Sequence, residues 1–164
     1  MVILGIDPGL AIMGYGVVHS ENSRLKPVDY GTVLTESTMP FPGRIDRIYE
    51  GVCTLIERFR PDAIAFEELF FNKNAKTAII IGQARGAAVA AAYKTCKQLY
   101  EYTPLQVKQA VVGYGKAEKK QVQLMVKTIL GLEKIPKPDD AADALAVAIC
   151  HAQTCRMSES FLMK

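Results

Sequence analysis

A short apolar run near the start of the chain, Val2-Ile3-Leu4-Gly5-Ile6, ends on a carboxylate, Asp7, and Pro8-Gly9 then turns the chain at once. An apolar, partly β-branched run bounded by a turn signal reads as a buried strand. A charge at the end of a central strand needs a partner, because an isolated desolvated carboxylate is very costly. Asp7 therefore either caps a turn or holds a cation. The rest of the chain bears on which.

Ile12-Met13-Gly14-Tyr15-Gly16-Val17-Val18 interleaves apolar and small residues, Glu21-Asn22-Ser23 is a turn, and Val28 to Leu34 reads as a third strand. Three strands with short links predict an antiparallel meander. Pro40 to Gly43 is a loop, after which Ile45, Ile48, Tyr49, Val52, Leu55, Ile56 and Phe59 recur at helical spacing until Pro61. Asp62 to Phe66 is a second short buried strand that also ends in carboxylates, Glu67 and Glu68, with a loop from Leu69 to Asn74. An alanine-rich helix is predicted from Ala75 to Thr95 and a short strand over Leu99 to Tyr102. Thr103-Pro104-Leu105-Gln106 is a capping box that opens a helix to Val112. Val122, Met125, Val126, Ile129 and Leu130 mark another helix, closed by Gly131, and the last helix runs from near Asp139 to about Cys155. This order predicts an α/β fold: a mixed sheet, antiparallel meander plus parallel strands, with helices on both faces. At 164 residues, 49% of them hydrophobic, the chain suits a single domain over 1–156 with a flexible tail over 157–164.

The most apolar stretch, Ala78 to Tyr93, is interrupted by Gln83 and Arg85 and is not a membrane span; no signal peptide is visible. A cytoplasmic protein with reduced thiols follows for Cys53, Cys96, Cys150 and Cys155. Cys150, His151 and Cys155 lack further partners at metal-ligand spacing, and helix packing explains them. Charge is uneven: residues 1–71 carry −4, residues 72–137 carry +9 and residues 138–164 carry −2. A basic middle between acidic segments suits a phosphate backbone passing a carboxylate site, although solvated helix faces give the same pattern.

Acidic residues stand at three landmarks. Asp7 and Glu67 end strands, while Asp140 and Asp143 sit three apart, on one face, at the start of the last helix. Hard carboxylate oxygens are what Mg²⁺ or Mn²⁺ takes, and two such ions suit phosphodiester cleavage. Asp139 and Asp140 could instead cap the helix, and Glu67 and Glu68 could be plain strand-exit residues. The spacing leaves Glu68 and Asp139 open as members of the site. Gly82, Gly86 and Ala90 form a small-residue stripe, suited to packing on the chain's own sheet or on a second subunit.

Gly5-Ile6-Asp7-Pro8-Gly9, Gly14-Tyr15-Gly16, Phe66-Glu67-Glu68, Gly82-Gln83-Ala84-Arg85-Gly86, Gln106-Val107-Lys108-Gln109, Ala117-Glu118-Lys119 and Asp140-Ala141-Ala142-Asp143-Ala144-Leu145-Ala146 together resemble the RuvC family over nearly the whole chain. These are bacterial crossover (Holliday) junction endodeoxyribonucleases of RNase H-like fold, acting in recombination and repair. The resemblance implies that Asp7, Glu67, Asp140 and Asp143 are catalytic, metal-binding carboxylates holding two Mg²⁺ ions, with Mn²⁺ able to substitute. It implies DNA contacts from Phe70, Lys108 and Lys119. It also implies a homodimer that makes paired symmetric nicks in a four-way junction, and a branch-migration helicase as partner. The alternatives are another RNase H-like nuclease acting on RNA or RNA–DNA hybrid, and a non-catalytic nucleic-acid-binding module. A sugar-kinase-like ATPase shares the GIDPG loop but needs a second domain.

Overall fold

The computed structural model describes residues 1–69, 75–96, 98–154 and 160–163. Along them run β1 (Val2–Asp7), β2 (Ile12–Glu21), β3 (Arg24–Leu34), α1 (Phe41–Phe59), β4 (Ala63–Glu67), α2 (Ala75–Thr95), β5 (Leu99–Tyr102), α3 (Pro104–Val112), α4 (Lys119–Leu130) and α5 (Asp139–Thr154). The strands form one sheet in the order β3-β2-β1-β4-β5. β1, β2 and β3 pair antiparallel as a meander, while β4 and β5 join β1 in parallel. This is the mixed sheet that the order of elements predicts. No helix among the described residues is long and apolar enough to cross a membrane.

Helices cover both faces. Leu4, Ile6, Val17, Ile64 and Phe66 pack against α1 and α2, whereas Ile3, Val18, Ala63 and Ala65 pack against α3, α4 and α5. Strand alternation divides neighbouring residues between the two cores. α1 starts at Phe41, inside the stretch read from the sequence as a loop, because Pro42 falls where a helix tolerates proline. α4 starts at Lys119, ahead of its first apolar residue, through a capping box between Glu118 and Gln121. Within the stretch expected as a tail, Leu162 bridges to Tyr100 and the Phe161 ring lies 4.9 Å from that of Tyr102. Phe161, Leu162 and Met163 are apolar, and the free edge of β5 gives them a surface to cover.

α5 is the central helix of its layer, and glycine brings it unusually near the sheet. A Cβ on Gly16 would sit 2.7 Å from the Leu145 backbone nitrogen, and one on Gly5 would sit 2.7 Å from that of Ala148. A Cβ on Gly14 would overlap the Asp140 carbonyl. Gly5 pairs with Gly16 across β1 and β2, and Asp7 pairs with Gly14, so the three form one bare floor. Alanines of α5 at 141, 142, 144, 146 and 148 are fully buried there. α2 shows the reverse arrangement on its outer side. Ala84, Ala88, Ala91 and Ala92 face the core, but Gly82 and Gly86 look onto open space. The stripe of small residues on α2 therefore does not pack on its own sheet.

Two glycine substitutions should separate these environments. Gly16→Ala drives a methyl group into helix backbone that cannot move aside, and a loss of about 3 kcal/mol is expected in urea unfolding. Gly86→Ala should be neutral or gain up to about 1 kcal/mol from helix propensity. Equal effects at the two positions would contradict the close approach of α5.

Candidate active site

Alternation along β1 puts Asp7 on the face of Ile3 and Gly5, the face that α5 covers; alternation along β4 puts Glu67 there with Ala63 and Ala65. The parallel register Ile6↔Phe66 then sets Asp7 and Glu67 side by side at neighbouring strand ends. Glu68 falls on the other face, exposed, with its N–H donating to the Tyr102 carbonyl at 2.9 Å. On α5, the Gly14 floor holds the first turn against the partner residue of Asp7, which brings Asp140 and, one turn on, Asp143 toward the strand ends. Asp139, at the edge of the group, is held by Lys137, whose Nζ donates to its carboxylate at 2.7 Å.

The carboxyl groups crowd one another. Burial, then the charges of Glu67, Asp143 and Asp140, pushes Asp7 up to about 8. Burial and Asp143 push Glu67 up to about 7, with a hydrogen bond from Asp7 working the other way. Burial also raises Asp143, against the pull of Lys119. Lys119, at the start of α4, places Nζ 2.8 Å from Asp143 Oδ2 and 3.8 Å from Asp139 Oδ2. Burial works to lower its ammonium, but Asp143 and the other aspartates more than offset this and hold it above its ordinary value. No three acidic, histidine or cysteine side chains converge as a ready ligand set among the described residues.

A cleft of about 260 Å³ opens beside these groups, with Glu67, Asp143, Lys108 and Lys119 on its wall and Val107 and Val122 beneath. A larger cavity of about 910 Å³ lies beside Asn22 and Arg24, at the far end of the sheet from Asp7. Cys150 and His151 make no metal site: His151 Nδ1 is 2.8 Å from Tyr102 Oη, Cys150 donates to the Gln106 carbonyl, and burial lowers His151 to about 4. Cys155 and Phe70 lie outside the described residues. The sequence reading missed the glycine floor and the pairing of Lys119 with Asp143. The signal for the floor was in plain sight, as Gly14-Tyr15-Gly16 opposite a strand that carries Gly5.

By residue type, though not yet by convergence, the donor set suits a divalent metal ion. It consists of hard carboxylate oxygens, more negative charge than one lysine neutralises, and carboxyl groups held partly protonated until a cation relieves them.

Residues 3–151 match the family model described as crossover junction endodeoxyribonuclease RuvC. A protein of that name from Alkaliphilus oremlandii is 58% identical over 164 residues, 100% of each chain. The solved structure described as T. thermophilus RuvC in complex with Holliday junction substrate is 41% identical, with a TM-score of 0.93 over 99% of each chain. A yeast mitochondrial Holliday junction resolvase, 18% identical with a TM-score of 0.67, covers 96% of this chain and 82% of its own, and shares the fold.

The acid cluster has a thermodynamic signature. Asp7 and Glu67 keep their protons to about 8 and about 7 in the folded chain, against ordinary values of 3.8 and 4.5. Between roughly pH 4 and pH 8 the folded protein therefore binds more protons than the unfolded chain, so stability falls as pH rises through this window. In chelator, Asp7→Asn should melt on the order of 5 °C above wild type at pH 8 and match it near pH 4. A pH-independent difference would show that Asp7 does not hold its proton above the ordinary carboxylate range.

Proposed function

We propose that this chain, which belongs to the RuvC family of crossover junction endodeoxyribonucleases, cuts DNA at the acidic cluster of Asp7, Glu67, Asp140 and Asp143. The protein is a Holliday junction resolvase with an RNase H-like fold, and the whole-length family match favours neither the RNA-directed nuclease nor the non-catalytic module. The observation that carries the site is the meeting of Asp7 and Glu67 at adjacent strand ends beneath the first turns of α5.

The four carboxylates would hold divalent ions, two Mg²⁺ or in their place Mn²⁺. When bound, such ions supply Lewis acidity to the scissile phosphodiester and make water a better nucleophile. The protein's own groups bind and orient the substrate. Lys108 and Lys119 border the cleft and present ammonium groups to phosphates, which positions the strand without reading its sequence. Phe70, just beyond Leu69, is proposed to meet bases opened at the junction centre.

The partner of a four-way junction needs two sites related by a two-fold axis, so that the cuts fall symmetrically. The exposed side of α2 supplies a surface for such a homodimer: Gly82 and Gly86 are open, with Ile79 63% and Tyr93 53% exposed on the same side. A branch-migration helicase is the further partner that the family resemblance suggests.

Asp7→Asn should abolish cleavage of a four-way junction in Mg²⁺ while leaving junction affinity equal or higher, measured by gel shift beside a linear duplex and an RNA–DNA hybrid. Lys108→Met or Lys119→Met should lower the salt slope of binding by about 0.9 for each phosphate that is no longer neutralised. Near-normal cutting by Asp7→Asn would refute the site.

The dimer has its own test in Gly86→Leu. The added side chain meets open space in one protomer, so the variant should fold normally. It should sediment as a monomer and nick junctions singly. A dimer that survives the substitution would move the interface elsewhere.

A further inference from the structure

We infer that Arg85 and Glu101 form a positioning pair that fixes the end of β4, and hence Glu67, relative to α2; the inference rests on the reading of Glu67 as part of the active site. Arg85 lies on the flank of α2, between its buried alanines and its open glycines. Its Nη2 is 2.7 Å from Glu101 Oε2 on β5, and its Cζ is 6.0 Å from the centre of the Phe66 ring. Glu101 and Phe66 are register partners, and the next pair along is Glu67 and Tyr102. The ion pair thus crosses from α2 to the sheet one residue below the strand end that carries Glu67. Phe66 is fully buried, so its ring passes any shift of α2 directly to the backbone of that strand end.

Stability alone is a poor reason for this arrangement. A partly exposed ion pair contributes little to stability on its own. Its geometry also leaves Arg85 Nε buried with no partner among the described residues, a further cost. What the planar guanidinium supplies is direction, since it holds one carboxylate and one ring in fixed relation. The same helix presents Gly82 and Gly86 outward. Arg85 therefore ties the proposed dimer face to the strand end of the active site.

The test uses the full-length protein, with Arg85→Met, Arg85→Lys, Glu101→Gln and the double exchange Arg85→Glu/Glu101→Arg. Three quantities are read: junction affinity in chelator, single-turnover cleavage at saturating Mg²⁺, and the Mg²⁺ concentration giving half of the thermal shift without DNA. Arg85→Met and Glu101→Gln should slow cleavage by about tenfold or more, since small displacements of reacting groups cost that much. Both should also raise the half-saturating Mg²⁺ severalfold, with junction affinity within about twofold. The double exchange should restore most of both. Should Arg85→Met fail to fold, Arg85→Lys and Glu101→Gln carry the same expectation in weaker form. A drop in junction affinity that the exchange does not restore would make Arg85 a DNA-binding residue and overturn the inference. So would a lowered melting temperature with cleavage and Mg²⁺ response unchanged. A wild-type protein without any Mg²⁺-dependent shift would instead sink the acidic-site reading itself.

Discussion

The site depends first on how closely α5 lies on the sheet. A helix normally rides on side chains about 10 Å above the strands it covers. Here Gly5, Gly14 and Gly16 remove those side chains, and buried alanines remove the facing ones. Helix backbone rests on strand backbone. At that separation the charges of Asp140 and Asp143 on α5 act on Asp7 at the end of β1. Larger residues at the floor would raise α5 and separate carboxylates that belong to different layers.

The crowding that results is a cost, and the fold supplies the means to bear it. Asp7 and Glu67 sit at the ends of paired strands in the middle of the sheet, where neither can retreat without breaking register. Asp143 is met by Lys119 at the first turn of α4, a helix whose start is itself fixed by a capping box. Burial first, and the neighbouring carboxylates after it, raise the proton affinity of Asp7 and Glu67, and a divalent cation bound there would relieve both.

Much of this was legible in the residues, and the gaps have physical causes. Apolar runs ending in Asp7 and Glu67 gave the strands and the placement of both carboxylates, because a buried strand that stops on a charge has few alternatives. Glu68 was separated from Glu67 only by the β4 register: alternation assigns their faces, but which face α5 covers is a tertiary fact. Asp139 likewise differs from Asp140 through Lys137, a neighbour whose reach the spacing does not reveal. The start of α4 was missed since Lys119-Lys120-Gln121 carries no apolar period, and capping rather than packing begins that helix. The docked residues 161–163 were missed because an apolar end gives no local sign of the strand edge it will cover.

α2 shows why a single sequence stripe can mislead. Its alanines and glycines look alike as small residues, yet they lie on opposite sides of the helix: Ala84 and Ala88 are buried, while Gly82 and Gly86 are open. The buried set has a cause within this chain, since α2 must lie close to α1 and the sheet. Among the described residues nothing meets the open set, and glycine in an exposed helix costs about 1 kcal/mol relative to alanine at each position. A second flat surface packed there would offset that loss. In a C₂ pair, Gly82 and Gly86 of one protomer would face the same helix of its partner, and the backbones could approach as α5 approaches its own sheet. Paired cutting would then rest on the same device as the active site, glycine used to let two backbones meet.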